Sequence, residues 1–255
     1  MNSSTENKHW LSYANLSDAY ERKARFAPAL LSVVMLIPAA MAFGIPLWDW
    51  VKVVVAGVGV GSAIALGLSH LASAFGNRLQ RKLWPRWPYD APTHVWLHPE
   101  DSSRSEQQKK QWYAAVERLT GLQVKGRKKG ESVEAVINDA ISQLRNRLWK
   151  SDVSTRLEIH NADFGFARNF CGLRVVWIPA TATAALACWL GVFFVEINMG
   201  WAIAATIVAV AAFLLGTFVL PAYVRQKADQ YADSFFAAVL SLDSKTSEKS
   251  TVAKE

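Results

Sequence analysis

The stretch VVWIPATATAALACWLGVFFV, residues 175–195, decides how this sequence folds. Its 21 residues contain no Asp, Glu, Lys or Arg, and Arg174 and Glu196 flank it. An α-helix rises 1.5 Å per residue, so about 20 apolar residues cross the roughly 30 Å hydrocarbon core of a bilayer. A buried helix of a soluble protein is usually shorter or carries a polar face. The stretch therefore predicts a transmembrane helix.

Three other stretches share this property. Residues 26–48, 53–77 and 197–224 are uncharged over 23, 25 and 28 residues. The sequence predicts an all-α membrane protein with four transmembrane helices, arranged as two hairpins with a mainly helical cytoplasmic domain between them. The predicted segments are an N-terminal cytoplasmic helix (1–25), a first hairpin (26–77), the cytoplasmic domain (78–173), a second hairpin (174–224) and a C-terminal cytoplasmic helix and tail (225–255).

The distribution of positive charge predicts the orientation. Residues 76–174 carry 18 Lys and Arg, whereas the two short turns between paired spans carry only Lys52. Because cytoplasmic loops hold the excess of positive charge, both termini and residues 78–173 are expected in the cytoplasm, with the spans in a bacterial inner membrane. The basic run 77–86 is expected against anionic headgroups, with Trp84 and Trp87 as anchors at the membrane interface.

Small residues recur at every fourth position of the second predicted span. Membrane helices associate by close backbone approach, so such a stripe predicts a packing surface, either within one chain or between copies of the chain. A weaker stripe on the fourth span offers a partner surface, at Ala204, Val208, Ala212 and Gly216. The stripe of the second span consists of Gly57, Gly61, Ala65, Ser69 and Ser73.

The polar segments have recognisable helix boundaries. Four prolines make residues 84–101 an expected loop, with a short strand at THVWL, residues 93–97. A capping box at Ser105 opens a helix that ends at Gly121, and Ser132 opens a second helix through about residue 149. Apolar residues from 228 to 242 predict a helix that docks on this domain or mediates assembly, followed by a disordered tail, 243–255.

The stretch HNADFGFARNFCGLR, residues 160–174, precedes the third span. Asn161 is expected to cap an interfacial helix whose aromatic side chains lie at the membrane surface. The density of polar residues supports a second interpretation, in which a polar network couples the cytoplasmic domain to the membrane. Its members would be Asn161, Asp163, Arg168 and Asn169.

Motifs for enzymatic chemistry are not found. Gly121 and Gly126 have P-loop spacing, but Arg127 and Lys128 stand where that motif needs Lys and Ser or Thr. The sequence therefore predicts a protein that is not an enzyme and holds no cofactor and no metal. The same basic turn is read either as a solvated loop or as a site for an anionic ligand or lipid, at Lys125, Arg127, Lys128 and Lys129.

The layout of the chain resembles the small multi-pass membrane effectors of bacterial antiphage and abortive-infection systems. That resemblance implies a homo-oligomer that makes the inner membrane leaky when its cytoplasmic domain is triggered. The alternative is a membrane scaffold or accessory subunit that recruits a cytoplasmic partner without forming a channel. The expected partners are the lipid bilayer, further copies of the chain, and a cytoplasmic protein or nucleotide-type ligand, without specific nucleic-acid binding.

Overall fold

The computed structural model describes residues 20–44, 58–125, 132–151 and 155–252, with the side chains of 58–66 and 249–252 left aside. All regular structure in these ranges is helical. Two short π-helical turns are π1 (Arg22–Phe26) and π2 (Leu215–Val219). The α-helices are α1 (Ala27–Val34), α2 (Ile37–Ala42), α3 (Val58–Leu83), α4 (Pro92–Leu97), α5 (Glu106–Thr120), α6 (Val133–Trp149), α7 (Thr155–Gly172), α8 (Arg174–Phe194), α9 (Met199–Leu214) and α10 (Leu220–Val252).

Three helical segments in the described ranges are long and apolar enough to cross a membrane: Arg22–Ala42, Arg174–Phe194 and Met199–Glu248. Large apolar side chains on them face outward, among them Phe193, which is 74% exposed, and Ile207, which is 63% exposed. Such surfaces are stable in hydrocarbon rather than in water. The chain is therefore a membrane-embedded protein. The predicted span 53–77 begins outside the described residues, so the count of four spans stays a prediction.

Prolines explain why the first candidate span is not one regular helix. Pro28 follows π1 and lies in the first turn of α1, where its missing N–H is tolerated. Met35 and Leu36 interrupt the helix, and Pro38 lies in the first turn of α2. The sequence predicts bends at Pro38 and Gly44 in this span and at Pro179 in the third, because the ring of a proline clashes with the preceding helical turn. In the structure, Pro179 lies inside the continuous helix α8.

The chain divides into two compact units. Unit 1 comprises residues 1–79 and 162–224, and unit 2 comprises residues 80–161 and 225–255. In unit 1, α8 and α9 pack through small residues, with Ala185, Cys188, Ala202 and Ala205 buried together and Ala39 and Ala42 of α2 packed against them. This is the close packing through small side chains that is typical of membrane helices.

Unit 2 has an aromatic and aliphatic core of its own. Trp112 of α5 stacks on Phe236 of α10 with ring centroids 4.2 Å apart, and Trp96 of α4 lies 6.3 Å from the same ring. The buried apolar stripe of α6 completes the core, at Ile137, Ile141, Leu144 and Leu148. The prediction that the C-terminal segment docks on the helices between residues 106 and 149 is confirmed by Phe235, Phe236 and Val239.

The predicted helix boundaries of unit 2 are mostly confirmed. The Ser105 side chain accepts a hydrogen bond from the Gln108 backbone N–H at 3.2 Å, and Gly121 adopts a φ of 76° at the end of α5. Such a left-handed residue ends many helices. The helix α6 begins after Ser132 and ends at Trp149, although the Ser132 side chain makes no capping hydrogen bond.

Other expectations for this unit are wrong. The segment THVWL is helical, because Pro92 lies in the first turn of α4 and there its missing N–H is tolerated. Residues 243–252 continue α10 instead of being disordered, and the Asp243 carboxylate accepts hydrogen bonds from the Arg118 guanidinium. Trp84 is only 8% exposed, so its ring fills space inside the chain rather than anchoring it at the membrane interface.

Candidate functional site

Polar side chains gather in one place in each unit. The first place, called the junction here, lies in unit 1 where α7 meets π1 and α3. Asn169 of α7 is fully buried at its centre. Its Nδ2 donates to the Ala24 carbonyl oxygen at 2.6 Å, and its Oδ1 accepts from the Arg168 Nε at 3.1 Å. Both ends of a buried amide are thereby satisfied, which avoids a cost of about 1–3 kcal/mol per unpaired group.

The partner of Asn169 is a backbone carbonyl of the first helical segment. In an α-helix, the Ala24 carbonyl would accept from the N–H four residues later. That residue is Pro28, which has no N–H. Ala24 itself lies in π1, where hydrogen bonds reach one residue further along the chain. Asn169 supplies a side-chain donor to this carbonyl, and the bond links two segments that are 145 residues apart.

Glycines allow the three segments of the junction to approach closely. A Cβ atom added at Gly76 would lie 2.0 Å from the Asn169 Oδ1. A Cβ atom at Gly172 would lie 2.6 Å from backbone atoms of Phe75 and Gly76, and one at Gly165 would lie 2.8 Å from the Ala24 Cβ. Real Cβ contacts are essentially never shorter than 3.0 Å. The junction is therefore built for residues without side chains at these positions.

Charged groups surround the junction. The Lys23 Nζ lies 2.5 Å from the Asp163 Oδ1, which ties the first helical segment to α7 a second time. The Arg168 guanidinium lies 5.9 Å from the centre of the Phe164 ring, a cation–π distance. Burial lowers the pKa of Arg168 from its ordinary value. Arginine titrates so far above neutral pH that the side chain stays charged.

Three of the four residues predicted as a coupling network therefore lie together in unit 1: Asp163, Arg168 and Asn169. Asn161 is half-buried inside α7, in the part of that helix that belongs to unit 2. The expectation that Asn161 caps the helix is wrong, because α7 begins at Thr155, six residues earlier. Aromatic rings stack along α7 and into α8: Phe166 lies 5.8 Å from Phe170, and Phe170 lies 5.6 Å from Trp177, which is 1% exposed.

The predicted packing stripe of the second span is described only in part. Gly57 lies outside the described residues, and the side chains of Gly61 and Ala65 are not described. Ser69 and Ser73 are half-buried, and the fully buried face of α3 runs beside them through Ala72 and Gly76. The four-residue spacing of the stripe leads to Ser73, so the sequence pattern does not predict that Gly76 lies at the contact. On the fourth span, Ala212 and Gly216 are buried while Ala204 and Val208 are half-buried.

Of the four residues predicted as a site for an anionic ligand or lipid, the structure describes Lys125. The Lys125 Nζ lies 3.3 Å from the Glu106 Oε2 and 5.4 Å from the centre of the Tyr113 ring. This lysine is therefore already engaged by one carboxylate and one aromatic face. Arg127, Lys128 and Lys129 lie outside the described residues.

The second polar place, called the cleft here, lies in unit 2 and has a volume of about 410 Å³. Arg86 forms one wall. Its Nε and Nη2 donate to the Asp90 Oδ1 at 3.1 and 2.8 Å, and its Nη1 donates to the Glu134 Oε1 at 3.1 Å. The side chains that line the cleft are Arg86, Tyr89, His94, Val95, His98, Glu100, Asp101, Glu134 and Ile137.

His94 of α4 is 4% exposed and lines the back of the cleft. Its Nε2 lies 3.4 Å from the Asn138 Oδ1, and its ring meets Tyr89 edge to face at 6.3 Å. Burial lowers the pKa of His94 to about 4, with Arg145 adding to the effect and the hydrogen bond to Asn138 opposing it. At neutral pH the imidazole is therefore uncharged.

A buried lysine fixes the segment that contributes His98 and Asp101 to the lining of the cleft. Lys109 is 1% exposed, and its Nζ donates to the His98 carbonyl at 2.6 Å and to the Asp101 carbonyl. The Asp101 carboxylate lies 3.7 Å from the same ammonium. Tyr113 donates to the Leu97 carbonyl at 3.2 Å, and burial raises the pKa of this phenol to about 12. These bonds hold the segment 97–101 against α5.

The cleft carries more negative than positive charge. In the described part of the chain, the lining holds one permanent cation, Arg86, against the carboxylates of Glu100, Asp101 and Glu134. The Lys109 ammonium lies behind the lining, 3.7 Å from the Asp101 carboxylate. Such a lining attracts hydrogen-bond donors and cations and repels phosphates. Among the residues that the structure describes, no three His, Cys, Asp or Glu side chains are placed to hold a metal ion.

Comparison with protein-family models, with curated proteins and with solved structures finds no match to this chain.

Proposed function

We propose that the chain is a homo-oligomeric effector of the bacterial inner membrane, channel-like in action, that is gated through a cytoplasmic unit 2. Four spans as two hairpins, with both termini and residues 78–173 in the cytoplasm, form part of this proposal. The proposed role of this effector is antiphage defence by membrane permeabilisation. The observation that carries the proposal is the combination, in one chain, of membrane-type helices with a folded polar unit that has an open cleft.

The trigger in this proposal binds the cleft. Its described lining favours a small polar ligand with cationic or hydrogen-bond-donating groups over the phosphates of a nucleotide. Arg86 and Lys109 partner Glu134 and Asp101, and the carboxylate of Glu100 leaves an excess of negative charge among the described residues. Tyr89, at 36% exposed, offers an accessible aromatic face to a planar group. No step in this proposal requires covalent chemistry, in keeping with the absence of an enzymatic motif in the sequence.

The route from unit 2 to the membrane in this proposal runs through the chain itself. The chain passes between the units three times, at residues 79/80, 161/162 and 224/225. Each crossing lies inside a helix: α3, α7 and α10. Within unit 1, the junction at Asn169 joins α7 to π1 and α3, so a displacement of α7 changes the packing of two other membrane-side segments.

The proposal is tested in bacterial cells that carry the full chain. Membrane potential and dye entry are followed at high expression and, at low expression, after challenge with a panel of phages. We expect depolarisation in at least one condition, a weaker effect for Tyr89→Ala, and no change for Trp149→Ala, an exposed aromatic residue outside the cleft lining. Full viability and unchanged permeability in every condition would refute the channel-like function.

A membrane scaffold is the second candidate. Trp149 and Ile159 of unit 2 are each about half exposed, and exposed large apolar side chains on a polar unit are typical of protein-binding surfaces. Under this function, one stoichiometric partner co-purifies in detergent, its recovery falls for Trp149→Ala, and membrane permeability stays unchanged. Recovery of the chain without such a partner would contradict it.

A further inference from the structure

A groove of about 380 Å³ opens on the surface of unit 1 beside the first turns of α8. Apolar groups make up most of its walls, with Thr217 of π2 and Arg174 as the polar members. Its lining consists of Arg174, Val175, Ile178, Pro179, Thr217 and Pro221. Neither the junction nor the cleft contributes a residue to it.

The position of Arg174 follows from two irregularities of the backbone. The Leu220 N–H donates to the Leu215 carbonyl in the π-helical pattern, and in that pattern the Gly216 carbonyl would accept from residue 221. Residue 221 is a proline and has no N–H. The Arg174 Nη1 donates to the Gly216 carbonyl instead, at 2.9 Å. Arg174 is therefore held beside the groove by a structural hydrogen bond.

The guanidinium of Arg174 retains donors for a ligand. Among the described residues, its hydrogen-bond partners are the Gly216 carbonyl and the Cys171 Sγ at 3.6 Å, and both bonds come from Nη1. Nε and Nη2 carry three further N–H groups, and a guanidinium presents its donors in a planar fork that fits phosphate oxygens. None of the other five lining residues carries a charge. An occupant that complements this groove therefore needs one anionic group and one apolar group.

The groove lies where such molecules are concentrated. Arg174 is the first residue of a candidate membrane span, Arg174–Phe194. Thr217 follows Met199, the first residue of another candidate span, by 18 helical residues, which is about 27 Å along the helix axis. That distance is close to the thickness of the hydrocarbon core, so the groove falls at its edge, where headgroup phosphates meet acyl chains.

We propose that this groove binds an anionic glycerophospholipid. The phosphate lies at Nε and Nη2 of Arg174, and an acyl chain follows Val175, Ile178 and Pro179 past Thr217 and Pro221. Charge complementarity at Arg174 selects the anionic headgroup, and the apolar walls select the lipid over a free phosphate.

Native mass spectrometry of the purified full chain in a non-ionic detergent tests this proposal. The chain is titrated with phosphatidylglycerol and with phosphatidylcholine of identical acyl chains, and with inorganic phosphate. We expect phosphatidylglycerol to bind about ten-fold more tightly than phosphatidylcholine, because both carry the phosphate but the choline ammonium of phosphatidylcholine cancels its charge and is repelled by the guanidinium. Phosphate alone is expected to be poorly retained. Arg174→Gln is expected to remove the preference, and Arg225→Gln, an exposed arginine outside the groove lining, to keep it.

A second variant keeps the test independent of the structural role of Arg174. Thr217→Trp fills the groove from an exposed position and leaves the Arg174 hydrogen bond to Gly216 in place. We expect it to weaken the retention of both lipids about ten-fold. Equal binding of the two lipids to the parent chain would overturn the proposal, as would equal effects of Arg174→Gln and Arg225→Gln. Unchanged retention by Thr217→Trp would overturn it as well.

Discussion

Replacing Gly76 by Ala tests the junction most sharply. The new Cβ would lie 2.0 Å from the Asn169 Oδ1 and 3.0 Å from the Asn169 Cα, so the amide has to move away. Overpacking of this kind costs about 1–3 kcal/mol. Losing the hydrogen bond to the Ala24 carbonyl adds about 1–3 kcal/mol, because a buried polar group is left unpaired. Alanine has a higher helix propensity than glycine, which offsets about 1 kcal/mol of this cost, so the net destabilisation is about 1–5 kcal/mol.

Gly67 on the same helix provides the matched control. A Cβ atom at Gly67 would meet nothing within 4 Å, so Gly67→Ala gains helix propensity without a clash. Thermal unfolding of the purified chain in detergent, followed by tryptophan fluorescence, compares the two variants. Each kcal/mol shifts the melting temperature by about 2–4 °C for a chain of this size. We expect Gly76→Ala to melt well below the parent and Gly67→Ala at or slightly above it. Equal shifts would refute the close packing at Asn169.

Further predictions concern unit 2 and the junction. Burial lowers the pKa of His94 to about 4, below its ordinary value of 6.5, so unfolding takes up a proton between these pH values. The contribution of His94 to the free energy of unfolding is therefore fully present above pH 6.5 and falls by about 3 kcal/mol towards pH 4. His94→Gln is expected to flatten this dependence in thermal unfolding at pH 5 and pH 7, and an unchanged slope would contradict the assignment. Phe236→Ala removes a 1% exposed ring from the core and is expected to cost about 3–5 kcal/mol, and a loss below 1 kcal/mol in the same assay would contradict the packing of α10. A chain ending at residue 230 lacks the core residues Phe235, Phe236 and Val239, so its residues 80–161 are expected to lose their protease resistance. A chain ending at residue 248 is expected to keep it, and equal digestion of both chains would be inconsistent with that core. Asn169→Leu is expected to lower the melting temperature more than Asn161→Leu, since Asn169 is fully buried and Asn161 half-buried.

The sequence predicted the features that depend on local pattern. Uncharged length predicted spans within 26–48 and 175–195, because the bilayer sets a fixed requirement for apolar residues. The structure has candidate spans that overlap both runs, at Arg22–Ala42 and Arg174–Phe194. Capping chemistry at Ser105 and Gly121 predicted both ends of α5, since these residues satisfy backbone groups within a few positions of the chain. Span length and helix capping depend on residues that are close in the sequence, so the sequence alone predicts them.

Features that depend on distant partners were not predicted. The polar cluster before the third span was recognised, but not its connection to the Ala24 carbonyl, which lies 145 residues before Asn169 in the chain. The cleft was missed because its walls come from α4, α6 and the segments on either side of α4. Pro221 was an available signal for the groove, since it has no N–H for the Gly216 carbonyl and the Arg174 side chain donates to that carbonyl instead.

Extraction of membranes with alkaline carbonate tests most directly the claim that hydrocarbon surrounds the apolar helices. Cells expressing the full chain are lysed, and their membranes are washed at high pH and then treated with detergent. Lipid-embedded helices, with Phe193 and Ile207 facing outward, predict a chain that stays in the membrane pellet after carbonate and is released only by detergent. Recovery of most of the chain in the carbonate supernatant, folded and free of lipid, would contradict the account.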